Sequence, residues 1–221
     1  MKSQDIGLLL KLVALRNTER QTRDNSVSRG AQALPNDWRD WALDNDEVER
    51  YASLSDGHVS SVEDEQLLAR YSVRALAAET GISKSQVSLA LQRCLDVGLM
   101  RKDRKTGVPR ANTRALCDFI VHGLRYVFPA RPGEITRGIA TTFGAPVLEG
   151  KLYSSGDLLM VWPDARGNSK GQAIAPLFKS APYAVRRDRE LYAMLALTDA
   201  IRLGNPRESK LATEQLSVYL K

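Results

Sequence analysis

Apolar side chains recur at i, i+3, i+4 and i+7 through Ile6, Leu9, Leu10 and Val13, with Leu8, Leu12 and Leu15 widening the stripe. This spacing predicts a helix over residues 4–16, buried on more than one side. From Asn17 to Ala33 the period gives way to Thr, Arg, Gln, Asn, Ser and Gly, a composition that reads as a mobile loop. Trp38, Trp41, Leu43 and Val48 among carboxylates predict a short acidic helix between Asp37 and Tyr51, pinned by its tryptophans. Ser60 with Glu63 three positions on has the form of a capping box opening a helix to Arg70. Residues 17–71 therefore read as an acidic insertion after the first helix.

Residues 72–98 carry the most specific pattern. Ser72 is placed to cap a helix whose inner face is Val73, Leu76 and Ala77, and the small Ala77 lets a second helix cross closely. Gly81 supplies the left-handed backbone of a tight turn, and Ile82 plugs that turn. Ser83 with Gln86 forms a second capping box, starting a helix with Val87, Ala90, Leu91 and Cys94 turned inward. Ser83, Lys84, Ser85, Gln86, Ser88, Gln92 and Arg93 are then the hydrogen-bonding residues left facing outward. Such side chains read base edges in a major groove, and the free N–H groups at the helix start favour a phosphate.

The chain continues with a short β pattern, Leu99 to Ala111, that turns at Arg104 to Gly107 and presents five basic residues: Arg101, Lys102, Arg104, Lys105 and Arg110. The run Leu-Ala-x-x-Thr-Gly-Ile-Ser-x-Ser-x-Val-Ser-x-Ala-Leu, closing on Gly98-Leu-Met, with this hairpin behind it, resembles the winged-helix transcriptional regulators and is most similar to the MarR-type DNA-binding domain. The resemblance covers residues 72–111, with residues 4–16 standing as the family's first helix. It implies a recognition helix over residues 83–97 in the major groove and a wing along the phosphates or in the minor groove.

Asn112 is placed to cap a helix from Thr113 to about Tyr126, with Leu116, Phe119, Ile120 and Leu124 on its apolar side. Beyond Phe128 six prolines fall between Pro129 and Pro182, which disfavours long helices. Leu158 to Trp162 and Ala173 to Phe178 read as two strands of a hairpin joined by residues 163–171, whose basic turn at Arg166 to Lys170 is a candidate second phosphate contact. Two helices close the chain, one from Arg189 to Leu203 and one from about Arg207. The expected fold class is thus α+β: a winged helix-turn-helix domain in residues 1–128, followed by a smaller mixed α/β region in residues 129–221.

Composition and charge narrow the function. Hydrophobic residues at 43% and charged residues at 26% suit a water-soluble chain with a core, and the run from Ile6 to Leu15 is too short and too polar to span a bilayer. A cytoplasmic location is expected, with Cys94 and Cys117 as buried thiols rather than a disulfide. The net charge is +6 overall, and it divides as +2 over residues 1–16, −6 over 17–71, +7 over 72–131 and +3 over 132–221. The excess on one sixty-residue segment is the footprint of a face that meets a polyanion. His122 beside Cys117 makes a poor metal site, no phosphate-binding glycine loop occurs, and no nucleophile, base and orienter come together, so neither a metal, a cofactor nor an enzymatic activity is expected.

The sequence thus reads as a sequence-specific double-stranded DNA-binding transcription regulator, a homodimeric repressor of its own operon on a palindromic operator. The helices at 4–16 and 207–220 are the candidate dimer surfaces. A winged-helix adaptor or antitoxin that covers a partner protein is the alternative. The region 129–221 is left open to a small-molecule effector, a protein effector or dimerisation.

Overall fold

The structure, a computed structural model, describes residues 1–23, 38–42, 68–150 and 158–221. The expectations that fall on 24–37 and 43–67, including the Ser60 capping box, lie outside the described residues. The architecture is α+β. The first helix, α1 (Ser3–Arg23), runs a further seven residues past the expected end. Its apolar segment from Ile6 to Leu15 is at most 3% exposed. The extension has no hydrophobic period because it is held by polar contacts: Asn17 Nδ2 donates to the Tyr219 carbonyl and to Glu190, each at 3.0 Å, and Gln21 Nε2 donates to Glu190.

Two helices then cross. In α2 (Val73–Thr80) the Ser72 hydroxyl accepts from the Ala75 N–H, and Gly81 ends the helix at φ +69°, the left-handed region open to glycine. In α3 (Lys84–Asp96) the Ser83 hydroxyl accepts from the Gln86 N–H, while Val87, Ala90 and Cys94 are buried. The reciprocal half of the expected capping box is missing, since Gln86 turns its side chain elsewhere. Strands β1 (Met100–Lys102) and β2 (Pro109–Ala111) pair antiparallel, with Arg101 opposite Arg110. After them α4 (Thr113–His122) is capped by Asn112, and Gly123 separates it from the short α5 (Leu124–Val127), so the single helix expected there is broken.

The second sheet departs from the expected hairpin. Strand β3 (Ile135–Thr141) pairs antiparallel with both β4 (Met160–Pro163) and β5 (Ser169–Ala173), and β4 and β5 run parallel to each other, closing a three-stranded barrel. Such close crossing needs bare backbone: a Cβ on Gly138 would overlap the Trp162 carbonyl, and one on Gly167 would overlap Gly138. The strand expected from Ala173 to Phe178 instead ends at Ala173, and the Ala175 carbonyl beyond it accepts from Arg202 Nη2 at 2.9 Å. A strap, residues 38–42, closes over this barrel. Its tryptophans are buried as expected, but its backbone is extended rather than helical: Trp41 bridges Gly167, and the Asp40 carboxylate accepts from the Ala140 N–H and the Ser169 hydroxyl. Burial raises the Asp40 pKa above the ordinary carboxylate value.

The helix α6 (Ala181–Val185) leads to α7 (Arg189–Leu203), in which every residue from Leu191 to Arg202 is buried. A helix covered on all sides must satisfy its polar groups internally. Asp199 accepts from Trp162 Nε1 at 2.7 Å and from the Thr141 hydroxyl at 3.1 Å, and it pairs with Arg202 at 3.0 Å. The last helix, α8 (Pro206–Tyr219), opens with a full capping box between Asn205 and Glu208. Buried side chains form one continuous cluster from Ile6 to Leu220, so the core crosses position 128 without a break. The inner faces of α1 and α8 are spent on this core, which removes them as free dimer surfaces; on α8 only Val218 is left as an exposed large apolar side chain.

Among the described residues no helix is long and apolar enough to cross a membrane. Cys94 and Cys117 are free thiols, and burial raises both, Cys94 to about 12.

Candidate nucleic-acid interface

One side of α3 is open. Lys84, Ser85, Ser88 and Gln92 are exposed there, and Ser83 is exposed at its cap. Leu89, 53% exposed, sits among them and is absent from the residues expected to face outward. The sequence holds a signal for it: Leu89 falls outside the inward period of Val87, Ala90, Leu91 and Cys94. An exposed aliphatic group amid donors and acceptors suits contact with a thymine methyl in the major groove.

Two other residues of the expected reading face are turned away. Arg93 reaches α1 and clasps Asp5 with both arms, Nη2 to Oδ1 at 2.6 Å and Nε to Oδ2 at 2.9 Å. That hydrogen-bonded carboxylate raises the Arg93 pKa. Gln86 Oε1 accepts from Gln4 Nε2 at 3.1 Å and from Lys2 Nζ at 3.5 Å. The first turn of α1 therefore covers the side of α3 that Gln86 and Arg93 occupy. The exposed face is narrower than the sequence suggested and shifts to Lys84, Ser85, Ser88, Leu89 and Gln92.

The hairpin divides in the same way. Arg101, Lys102, Arg104 and Lys105 are exposed, and none has an ion-pair partner among the described residues. Its turn is stapled by Asp103 Oδ1, which accepts from the N–H groups of Lys105 and Thr106 and from the Thr106 hydroxyl. Those donors, the Thr106 N–H first, hold the Asp103 carboxyl below its ordinary pKa. Arg110 points the other way. It pairs with Glu19 of α1 at 2.8 Å, donates to the Tyr71 hydroxyl at 2.6 Å and stacks over the Tyr71 ring. Burial works against its charge, but Glu19 and Tyr71 more than offset this and its pKa is raised. Arg110 thus fastens the hairpin to α1.

The region after Phe128 touches the turn between α2 and α3. Tyr183 donates its hydroxyl proton to the Ala78 carbonyl at 2.9 Å, and Ser180 and Tyr183 lie against Gly81. Lys11, 2% exposed, pairs with Asp188 at 2.7 Å and with Glu79 at 3.5 Å, tying α1 to both. The backbone of the turn at Arg166 to Lys170, whose basic side chains are the candidate second phosphate contact, is a joint of the small barrel: the Arg166 carbonyl accepts from the Ala42 N–H and the Gly167 carbonyl accepts from Arg137, while Lys170 is exposed.

Comparison of the chain with protein-family models, with curated proteins and with solved structures finds no match.

Proposed function

We propose that the chain is a sequence-specific double-stranded DNA-binding transcription regulator, in which α2, α3 and the β1–β2 hairpin act as a winged helix similar to the MarR-type domain. The observation that carries this reading is the joined surface of α3 and the hairpin. Lys84, Ser85, Ser88, Leu89 and Gln92 stand exposed on the helix, and Arg101, Lys102, Arg104 and Lys105 stand exposed beside them without an ion-pair partner among the described residues. Hydrogen-bonding groups with one aliphatic contact fit base edges, and the flanking cations fit the backbone. One helix of this length reads a few base pairs, so a two-fold dimer on a palindromic operator supplies the rest of the site. Occupancy of its own promoter makes it a repressor. An effector bound by residues 129–221 would act through Tyr183 and Ser180, which rest on the turn before α3.

Fluorescence anisotropy against the gene's own upstream duplex and a scrambled duplex tests the reading, with Ser85→Ala/Gln92→Ala as the variant. Preferential binding to the upstream duplex that the variant loses is the expected result. Removing one good hydrogen-bonded pairing with a base costs about 1–3 kcal/mol of discrimination. Equal affinity for the two duplexes would refute sequence-specific recognition. Exposure of Leu89 at 53% and Val97 at 57% favours a second reading, in which α3 covers a partner protein. In that case Leu89→Ser abolishes partner capture while neither duplex binds.

A further inference from the structure

We propose that Arg16 and Arg20 of α1 and Arg101 of β1 form a phosphate-binding cradle beside the hairpin, gripping the backbone of the duplex outside the bases that α3 reads. The inference rests on the DNA-binding reading above and adds α1 to the contact surface. Arg16 and Arg20 are one helical turn apart, and Glu19 lies between them. Glu19 is only 5% exposed, and its carboxylate is taken by Arg110 at 2.8 Å. The Glu19–Arg110 pair holds α1 against β2, and Arg101 of β1 stands directly across the ladder from Arg110, on the strand next to that joint. The Glu19 carboxylate is thereby consumed, and Asp103, whose charge also reaches Arg110, is held by the Lys105 and Thr106 amides and the Thr106 hydroxyl. Arg16, Arg20 and Arg101 have no ion-pair partner among the described residues; Arg20 and Arg101 are exposed and Arg16 is half-buried.

The charges feel one another. The Arg16 pKa is lowered, by partial burial first and then by the positive charges of Arg20, Arg110 and Arg101. Like charges at i, i+4 on a helix and directly opposite on a ladder both destabilise a free protein. The dipole of α1 favours cations in its last turn, which accounts for Arg20 but not for Arg101 on a different element. A shared phosphodiester anion accounts for all three: guanidinium forks from two elements meet its oxygens, and the mutual repulsion becomes attraction for the ligand.

The test is the salt dependence of duplex affinity between 50 and 300 mM salt, chosen so that about a sixfold range is spanned around the Debye regime of physiological solution. Arg16→Gln/Arg20→Gln and, separately, Arg101→Gln are compared with the wild-type chain on the upstream and scrambled duplexes. Removing one phosphate contact should flatten the slope of log K against log salt by about 0.9, equivalent to about eightfold weaker binding at 0.1 M relative to 1 M salt. Both duplexes should weaken equally, leaving their affinity ratio unchanged, and Arg16→Lys/Arg20→Lys should restore most of the slope. If the α1 double variant does not fold, Arg20→Gln alone, at the exposed position of α1, carries the test. Selective wild-type binding with unchanged slopes in the variants overturns the cradle alone. A wild-type chain that binds neither duplex overturns the cradle and the DNA-binding reading together.

Discussion

Helical periodicity places Arg93 among the base-reading residues, whereas the structure makes it a clasp, so its replacement separates the two roles. Asp5 is fully buried and accepts three hydrogen bonds, two from Arg93 and one from the Lys2 N–H at 2.8 Å. Arg93→Ala leaves that carboxylate in the interior without its cation. Breaking a buried pair in this way costs about 3–5 kcal/mol. A quarter of the Arg93 side chain reaches solvent, 26%, so the lower end, about 3 kcal/mol, applies. At about 2–4 °C per kcal/mol for a chain of this size, the melting temperature should fall by about 6–12 °C. Urea unfolding followed by tryptophan fluorescence measures the free-energy loss, and thermal unfolding with the same probe measures the melting temperature, since Trp38, Trp41 and Trp162 all lie in the core. Asp5→Leu/Arg93→Met removes both charges and should recover about 2 kcal/mol relative to the sum of the single losses. Where Arg93→Ala is still folded, its preference between duplexes should equal that of the wild type. A loss below about 1 kcal/mol, or single losses that simply add, refutes the clasp, on the usual scale of exposed pairs and of uncoupled sites.

Gly138→Ala forces a Cβ into the Trp162 carbonyl, so it should cost at least the roughly 3 kcal/mol of severe overpacking and abolish the near-ultraviolet circular dichroism of the core tryptophans; an unchanged spectrum would contradict the barrel crossing. The Glu190 carboxyl has its pKa raised by burial, so in the folded state it holds its proton to higher pH than in the unfolded chain. The wild type therefore loses stability as pH rises from the unfolded value through the folded one, and Glu190→Gln, which has no proton to lose, should gain on it over that window; a pH-independent difference in urea midpoints sinks the assignment. The Asp103 carboxyl is shifted the opposite way, so the order it gives the hairpin turn is present above the unfolded carboxylate pKa and lost as pH falls through the folded one. Asp103→Ala should remove the hydrogen-exchange protection of the Lys105 and Thr106 amides at neutral pH and weaken duplex binding without altering the preference for sequence.

The crossing helices and the hairpin are legible in the sequence because their signals are local. Ser72 and Ser83 cap within three residues, and Gly81 and Gly107 sit where φ is positive. The closing helices are legible for the same reason, through Gly204 and Pro206. What the sequence hides depends on partners far along the chain. Residues 17–23 carry no apolar period, and their helix is held by Glu190, Tyr219 and Arg110, which no window of a few turns contains. Ile135–Thr141 is rich in β-branched residues, but prolines and glycines surround it with the signature of loops, and its two pairings are set by backbone approach at Gly138. On the candidate interface, helical periodicity tells which residues of α3 avoid α2, but not that α1 covers a further side. Hence the pattern alone points Gln86 and Arg93 outward, counts Arg110 with the free cations and gives Leu89 no role.

The placement of α7 has a consequence for dissecting the molecule. Lys11 of α1 finds its nearest carboxylate in Asp188, the cap of α7; Gly7 lies against the Phe178 ring; and Asn17 donates to Tyr219, near the other end of the chain. A fragment cut after residue 128 would retain every candidate DNA contact yet bare the far side of α1 and leave the Lys11 ammonium with Glu79 at 3.5 Å in place of its closer partner Asp188. Such a fragment should be expressed insoluble or molten, and footprinting or fusion experiments built on it would report the damage rather than the protein. The candidate reading head has no scaffold of its own; it borrows one from the last third of the sequence.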